Sequence, residues 1–368
     1  MTAGLSRLGC VFKGAMQWRT IFCLLSSIFF LLSCSRELPV YQEQSYVFGT
    51  LVEVSVYGEN ESKARQAVTS VMQEFQRLHD LLHAWKPSTL SSLNTAFSKE
   101  SNTEAPPEVT AMLKEAAELS TQSGGLFNPA IGGLVKLWGF QADEFKAVLP
   151  DDKEITKLVA AKPQMSDLVF SLPSSPAGKT EWVSSRNPAV QLDLGGYAKG
   201  YALDRAAGML KQQGIHNALI NIGGNVMALG RHGDRAWRIG IQHPRRPGPI
   251  ATMELHDGEA IGTSGDYQRY FELGGKRYCH LIDPRTGQPV TGVQAASVLT
   301  SGSRAGVLSD AVSKPLFISG IAGWRDMANR MGITHALLID EGGTVYLTSA
   351  MQKRIEFTDK AIIVKTVQ

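Results

Sequence analysis

The chain of 368 residues is 43% hydrophobic and 19% charged, which is the composition that a packed core requires. Its length allows one large domain or two ordinary ones. The formal net charge is +3 and no basic block interleaved with aromatic residues occurs, so nucleic acid is not an implied partner.

The N-terminus has the pattern of an export signal. Arg19 precedes the apolar run IFCLLSSIFFLL (21–32), and Ser33 is a small residue directly before Cys34. This order resembles a bacterial lipoprotein signal, so we predict a signal peptide over residues 1–34 and a lipid on Cys34. A true start at Met16 would give a signal of ordinary length. The alternative is an uncleaved membrane anchor.

Cysteine usage agrees with export. Cys10 and Cys23 lie in or before the signal, and Cys34 would carry the lipid, so only Cys279 remains in the mature chain. One thiol cannot form an internal disulfide, and a cysteine-based redox or zinc role is not expected. Ser35 resembles the sorting residue of outer-membrane lipoproteins, and the predicted protein faces the periplasm.

The first half of the mature chain contains clear helical patterns. After a tether over 35–43, the alternating segment YVFGTLVEVSVYG predicts a strand, and apolar residues at helical spacing predict a helix over 62–85. A loop that ends at Asn94 follows. A second helix begins at Pro106-Pro107 and ends before Gly124-Gly125, and residues 141–190 read as surface strands and loops.

The second half alternates short strands with tight turns. A strand leads into LDLGG, and the helix YAKGYALDRAAGMLKQQ ends at Gly214. Gly-Gly or Asp-Gly turns at 223–224, 257–258, 274–275 and 342–343 are hairpin signals, and a helix is predicted over about 304–331. The pattern predicts an α+β fold with antiparallel sheets and helices packed in two layers. We place a single domain, divisible into two subdomains, over 44–352, and a C-terminal segment over 353–368.

The segment LDLGGYAKG (192–200) has the features of a phosphate site. Its glycines lead into a helix that carries Lys199 in the opening turns, so free N–H groups and a positive charge would lie close together. The spacing matches neither a P-loop nor a dinucleotide fingerprint. The alternative is close helix packing around the glycines.

Two aromatic regions could contact a flat ring. The segment SGGLFNPAIGGLVKLWGF (123–140) combines glycines with aromatic residues, and Trp85 follows the long helix. Either region could instead only cover the core.

Two further segments carry reactive side chains. The hairpin over 262–292 brings His280 and Asp283 to one edge, where His280 could accept a proton or be a structural histidine. In SDAVSKPLFISG (309–320), Asp310 stands one helical turn before Lys314, and Pro315 suits the early part of a helix. Asp310 could hold a divalent cation, or it could form a helical ion pair with Lys314.

The ordered motifs resemble those of the ApbE family of flavin transferases. They are FGT, GGLFNP, LWGF, DLGGYAKGYALD, NIGGN, TSGDYQRYF, HLIDPRTG and SDAVSKPLF, spread over about residues 46–350. The resemblance implies an ApbE-like, T-fold-like architecture. It also implies transfer of FMN from FAD to a threonine of an acceptor protein, release of AMP, and use of magnesium. Members that hydrolyse FAD to FMN and AMP, or that only bind FAD, provide the alternatives.

The resemblance also assigns site residues by position. Those matching FAD contacts are Phe48, Trp85, Leu126, Phe127, Asn128, Asp193, Lys199 and Ile282; those matching metal ligands are Gly196, Asp310 and Lys314. Lys314 departs from the family, which often has threonine there, because an ammonium cannot coordinate magnesium. We expect the YCHLIDPRTG turn to lie at the pyrophosphate, with His280 as the base and Asp310 as the second catalytic residue.

Overall fold

The computed structural model describes residues 38–142, 144–171 and 180–367. The helices are α1 (Glu61–Leu81), α2 (Thr89–Ser98), α3 (Pro107–Gln122), α4 (Gly132–Leu137), α5 (Asp152–Ala161), α6 (Ala198–Gln212), α7 (Ala305–Arg330) and α8 (Ser349–Gln352). A short 3-10 helix covers Met165–Asp167. The strands are β1 (Val40–Val47), β2 (Thr50–Tyr57), β3 (Thr103–Ala105), β4 (Leu168–Ser171), β5 (Glu181–Ser185), β6 (Ala218–Ile222), β7 (Asn225–Leu229), β8 (Trp237–Gln242), β9 (Pro249–Leu255), β10 (Glu259–Gly265), β11 (Tyr270–Leu273), β12 (Lys276–Cys279), β13 (Val293–Ser301), β14 (His335–Asp340), β15 (Val345–Thr348), β16 (Ile355–Phe357) and β17 (Val364–Val367).

One large sheet organises the described residues. It has nine strands in the order β1-β2-β6-β7-β10-β13-β14-β15-β17, and every pair is antiparallel except β15–β17. Smaller sheets have the orders β16-β9-β8, β3-β5-β4 and β11-β12. The predicted α+β class with antiparallel sheets is confirmed.

The large sheet is covered on both faces. Successive residues of β13 belong to different cores: Ala295 and Leu299 pack with the β8-β9-β16 sheet, while Ala296 and Val298 pack with α7. This division follows from the two-residue period of a strand, which sends neighbouring side chains to opposite faces. The β8-β9-β16 sheet therefore forms a third layer, in addition to the two predicted layers of sheet and helices.

The first predicted strand is a hairpin. Strand β1 begins at Val40, inside the predicted tether, and pairs with β2 in a register that places Val47 opposite Thr50. The two-residue turn Phe48-Gly49 has positive φ at both positions, 57° and 68°, as tight hairpin turns require. Exposure alternates along β1 and through the first half of β2, up to Val54, so sequence periodicity alone did not reveal the reversal.

Several predicted boundaries hold and others do not. The α1, α3, α6 and α7 helices occur where predicted, and the turns at 223–224, 274–275 and 342–343 each join an antiparallel hairpin. The turn at 257–258 is not a hairpin, because it connects β9 and β10, which belong to different sheets. The segment 141–190 contains helix α5 as well as strands, and the predicted loop to Asn94 is largely helix α2. The expected strand before LDLGG is reduced to an isolated bridge between Gln191 and Ile131. These short elements lack a long apolar period, which is why the sequence did not show them.

Helix α7 is irregular in its middle. Pro315 lies ten residues after its start, not in the early part that we expected, and has no N–H to donate to the carbonyl of Ala311. Gly320 has a φ of 66° and interrupts the helix. The helix nevertheless packs along β10 and β13, which places Asp310 and Lys314 under the large sheet's central strands.

The described residues from Pro39 onward form one compact unit. The predicted subdomain division and C-terminal segment stay predictions. The signal peptide, Cys34 and Ser35 lie outside the described residues. Within the described residues, none of the helices combines the length and the apolar character that crossing a bilayer needs.

Candidate functional site

A cleft of about 620 Å³ opens beside the β1–β2 hairpin. This volume lies within the range of about 300–1,000 Å³ that is typical of small-molecule and cofactor sites. All predicted site residues line it except Asp310, which lies behind Lys314: Phe48, Trp85, Leu126, Phe127, Asn128, Asp193, Gly196, Lys199, His280, Ile282 and Lys314. Segments distant in the sequence therefore converge on one cleft, and the assignment of these residues to FAD stays a prediction.

Phe48 reaches the cleft from a strained turn. Its φ of 57° is uncommon for a residue other than glycine. The ring lies edge-on to Phe75 at 6.2 Å and to His79 at 5.9 Å between centroids. The hairpin thus holds an aromatic face at the rim, against the end of α1.

Trp85 lies on the same rim. The residues after α1 turn back on the helix because the backbone N–H groups of Trp85 and Lys86 donate to His83 Nδ1 at 3.1 and 3.0 Å. Trp85 is half-buried and packs against the core while lining the cleft. Both proposed roles, covering the core and contacting a ligand, are compatible with this position.

The 126–128 segment forms the cleft floor. Leu126 and Phe127 are buried, and the Phe127 N–H donates to Ser123 Oγ at 3.0 Å. The Asn128 side chain is used inside the protein: Nδ2 donates to the Pro163 carbonyl at 2.9 Å and Oδ1 accepts from the Ala130 N–H. Asn128 therefore shapes the cleft, with both of its polar side-chain atoms already bonded.

The start of α6 offers fewer free N–H groups than we expected. The N–H groups of Tyr197 and Ala198 donate to the Leu194 carbonyl, and the Gly200 N–H donates to Asp310 Oδ2 at 2.9 Å. The Asp193 carboxylate accepts from the Gly195 N–H, and burial raises its pKa. The positive charge at this end of the cleft therefore comes mainly from the Lys199 side chain.

Asp310 and Lys314 form a buried ion pair. The Asp310 side chain is fully buried and the Lys314 side chain is 14% exposed. Lys314 Nζ contacts Asp310 Oδ1 and also donates to the Asp310 carbonyl at 2.7 Å. Burial lowers the pKa of Lys314 to about 8 against the pull of Asp310. Burial would raise the pKa of Asp310, but Lys314 and Lys199 outweigh it, so that pKa lies below its usual value.

The predicted metal ligands do not fit a divalent cation in this arrangement. Magnesium needs oxygen ligands in a near-octahedral shell. Both oxygens of Asp310 are engaged, by Lys314 and by the Gly200 N–H. A Cβ placed on Gly196 would lie 3.2 Å from Lys314 Cε, so the lysine side chain fills the space beside Gly196. The described residues also contain no cluster of three or more His, Cys, Asp or Glu side chains that could hold a metal.

A third cation joins Lys199 and Lys314. Arg269, between β10 and β11, lines the cleft and donates from one terminal nitrogen to the carbonyls of Phe140 and Ala142 at 2.8 and 3.0 Å. The sequence analysis quoted Arg269 only within TSGDYQRYF and did not single it out. Its position as the one arginine of that motif was the available signal. Lys199, Lys314 and Arg269 all line the cleft and all act on His280; we call them the cleft cations, and their charge suits a pyrophosphate.

His280 is held in one orientation beside these cations. Its Nδ1 lies 3.2 Å from the Arg269 carbonyl, and because a carbonyl only accepts, Nδ1 carries the proton and Nε2 is the free acceptor. Burial, with the charges of Lys199 and Arg269, lowers its pKa to about 3. His280 is therefore a neutral hydrogen-bond acceptor at physiological pH.

Beyond Ile282, the turn that follows His280 lies outside the cleft lining. Asp283 pairs with the Arg285 guanidinium at 2.7 Å, and its carbonyl accepts the Gly287 N–H at 2.8 Å. Trp138 Nε1 donates to the Gly287 carbonyl at 2.8 Å. Of the YCHLIDPRTG turn, residues 280–282 line the cleft, and the position of the turn at a pyrophosphate stays a prediction. The charged end of the turn closes on itself.

The site lies within a region that matches a known protein family. The ApbE family model matches residues 48–338. A curated relative from Rhodobacter capsulatus, named FAD:protein FMN transferase, is 42% identical over 318 residues. The match covers 86% of this chain and spans 59% of that relative's length.

Solved structures give the same result for the fold. A crystal structure of the ApbE protein from Thermotoga maritima has a TM-score of 0.75 at 28% identity, covering 86% of this chain and 99% of that chain. The flavin transferase ApbE from Vibrio cholerae has a TM-score of 0.72 at 26% identity, covering 86% of this chain and 100% of that chain.

Proposed function

This chain belongs to the ApbE family, and we propose that it transfers FMN from FAD to a threonine hydroxyl of an acceptor protein. A covalent phosphoester-linked flavin and AMP would be the products. FAD is then a substrate, and the acceptor protein is the second partner.

The convergence of cations and aromatic rings in one cleft carries this proposal. Phe48 and Trp85 offer apolar faces at the rim, which suit the isoalloxazine ring. Lys199, Arg269 and Lys314 lie where a negatively charged pyrophosphate would be neutralised. The buried floor of Leu126 and Phe127 completes a site that is apolar with few charged groups, as cofactor sites usually are.

The proposed reaction is an in-line displacement at the phosphorus of the FMN half. The threonine oxygen forms a bond to this phosphorus, and the bond from phosphorus to the bridging oxygen breaks, so AMP leaves with that oxygen. The hydroxyl proton ends on AMP or in solvent. Such transfers depend on positioning and on neutralisation of charge more than on covalent chemistry from the enzyme. The cleft cations would supply both the positioning of the pyrophosphate and the neutralisation of its charge.

His280 is assigned to the attacking hydroxyl. Its Nδ1 is fixed by the Arg269 carbonyl, which leaves Nε2 to accept the threonine proton. Its lowered pKa makes it a weak base in the unliganded cleft. A bound pyrophosphate would oppose the charges of Lys199 and Arg269 and so raise this pKa toward a useful range.

Magnesium is implied by the family resemblance, but Asp310 and Gly196 do not present a fitting site in this arrangement. Asp310 is instead bonded to Lys314 and to the N–H of Gly200. No step of the proposed reaction is therefore routed through a metal. The role proposed for Asp310 is to position Lys314 and the start of α6.

We also propose that the protein is a lipoprotein that faces the periplasm. The order of Arg19, an apolar run, Ser33 and Cys34 supports lipidation at Cys34, and Ser35 is compatible with the outer membrane. A lipid at this position would hold the transferase at the membrane surface.

The direct test combines the purified protein with FAD and a candidate acceptor protein. Mass spectrometry of the acceptor and chromatography of the nucleotides are the measurements. FMN on an acceptor threonine together with AMP supports the proposal. FMN and AMP with an unlabelled acceptor would identify a hydrolase, and bound but unchanged FAD would identify a binding protein.

A further inference from the structure

The Lys314 ammonium has the position of a fixed cation in the cleft. Lys314 lies on α7 one turn after Asp310, and its side chain fills the space beside Gly196. Of its three N–H donors, two are directed at Asp310, to Oδ1 and to the backbone carbonyl. The third is left for a group in the cleft, which Lys314 lines.

Asp310 fixes this orientation from below. Its side chain is fully buried, and its second oxygen accepts the Gly200 N–H at 2.9 Å, so the carboxylate cannot turn toward the cleft without losing that bond. A buried ion pair of this kind is costly to break, because it would leave an uncompensated charge. The ammonium is therefore held in place before any ligand binds.

We infer that the Lys314 ammonium contacts the FAD pyrophosphate in the place of a divalent cation, so that FAD binding needs no metal ion. This inference rests on the proposed function, because it concerns the same substrate. The Lys314–Asp310 pair is neutral overall, and the net positive charge that faces the pyrophosphate comes from Lys199 and Arg269. Lys314 contributes a directed, charge-assisted hydrogen bond.

The test measures FAD binding by equilibrium dialysis, in EDTA and in magnesium. The wild-type protein is expected to bind FAD equally in both buffers. Lys314→Met should weaken FAD binding in EDTA by about 10-fold or more, the loss of one hydrogen bond to a charged group. Binding of riboflavin, which has the ring but no phosphate, should not change. Lys211→Met, an exposed lysine at the far end of α6, should behave as the wild type.

Lys314→Thr tests whether removing the lysine restores a need for a metal ion. It frees Asp310 Oδ1 and adds a hydroxyl oxygen, so FAD binding should become weak in EDTA and recover with magnesium. The double variant Lys314→Met/Asp310→Asn removes both charges of the ion pair. It replaces the single variants in the binding experiment if circular dichroism shows that either of them does not fold. It should show the same loss for FAD and none for riboflavin.

Two results would overturn the inference while leaving the proposed function intact. One is wild-type FAD binding that requires magnesium, and the other is wild-type FAD affinity in EDTA for folded Lys314→Met. Failure of the wild-type protein to bind FAD in either buffer would instead reject the proposed function.

Discussion

His280 illustrates how three nearby cations control one side chain. Burial does most to oppose a proton on the ring and so to lower the pKa, and Lys199, Arg269 and, more weakly, Lys314 act in the same direction. The Arg269 carbonyl fixes the tautomer. The same group of charges that suits a pyrophosphate therefore keeps His280 neutral until a ligand brings negative charge.

This depressed pKa predicts a dependence of stability on pH. The pKa of His280 is about 3 in the folded protein against the usual 6.5. Between pH 6.5 and about pH 3, the unfolded chain binds a proton on this histidine and the folded protein does not. The contribution of His280 to the free energy of unfolding therefore falls as the pH drops through this range. His280→Gln should reduce the loss of stability between pH 7 and pH 4, measured by urea unfolding.

The control for this experiment is His216→Gln, at an exposed histidine that follows α6. It should lose as much stability as the wild type over the same pH interval. Equal acid sensitivity of His280→Gln and the wild type would contradict the depressed pKa.

Trp85 gives a second prediction at the residue scale. If its indole stacks on the flavin nucleotide, Trp85→Ala should weaken FAD binding by roughly 1–3 kcal/mol, the range for aromatic stacking on a base. Flavin fluorescence titration provides the measurement. Trp182→Ala, on β5 and outside the cleft, is the matched control and should leave the affinity unchanged. Unchanged FAD affinity in Trp85→Ala would show that the ring only covers the core.

At the scale of elements, helices α6 and α7 cap each other. Neither N-cap residue, Tyr197 or Arg304, caps its helix with its own side chain. Asp310 of α7 accepts from an N–H in the first turn of α6, at Gly200. Asp204 of α6 accepts the N–H groups of Gly306 and Val307 at 2.8 and 2.9 Å, and burial raises its pKa to about 6. The crossing of the two helices thus positions both Lys199 and Lys314.

This crossing depends on close approach at two glycines. A Cβ on Gly200 would lie 2.3 Å from the Gly306 carbonyl oxygen. That oxygen belongs to the backbone, so no change of side-chain rotamer can relieve the clash. Gly200→Ala should therefore destabilise the protein by about 1–3 kcal/mol, as overpacking usually does. It should also weaken FAD binding, because the Asp310–Lys314 pair would shift. Thermal and urea unfolding measure the first effect.

Gly208→Ala is the matched control on the same helix. Nothing lies within 4 Å of a Cβ at Gly208, so alanine there should be neutral or stabilising by up to about 1 kcal/mol through helix propensity. Similar stabilities for the two alanine variants would refute the close-packing account of the crossing.

At the scale of the whole molecule, the proposed lipid anchor would determine where the cleft operates. Cys34→Ala should release the protein from membranes or leave its precursor uncleaved, because the modified thiol would be absent. Membrane fractionation and mass spectrometry of the N-terminus check this outcome. Cys279→Ala is the control, since that thiol is buried and its pKa is raised to about 12. A processed, membrane-bound Cys34→Ala protein would contradict the assignment.

The sequence by itself determined the features that depend on neighbouring residues. Apolar residues at helical spacing located α1, α3, α6 and α7, and glycine-containing pairs located three hairpin turns, because both are properties of a few consecutive residues. Ordered motifs also identified the residues that line the cleft. Motif order reports shared ancestry, so these residues could be identified from the family resemblance without knowing how the chain packs.

Only the tertiary structure decided how those residues are used. It showed that the Gly200 N–H is already bonded to Asp310, that Lys314 fills the space predicted for a metal, and that the turn after Ile282 closes on itself. It also added Arg269 to the cleft cations Lys199 and Lys314. Each of these outcomes joins segments far apart in the chain, and a hydrogen bond or charge contact between distant segments is set by packing that local periodicity does not encode.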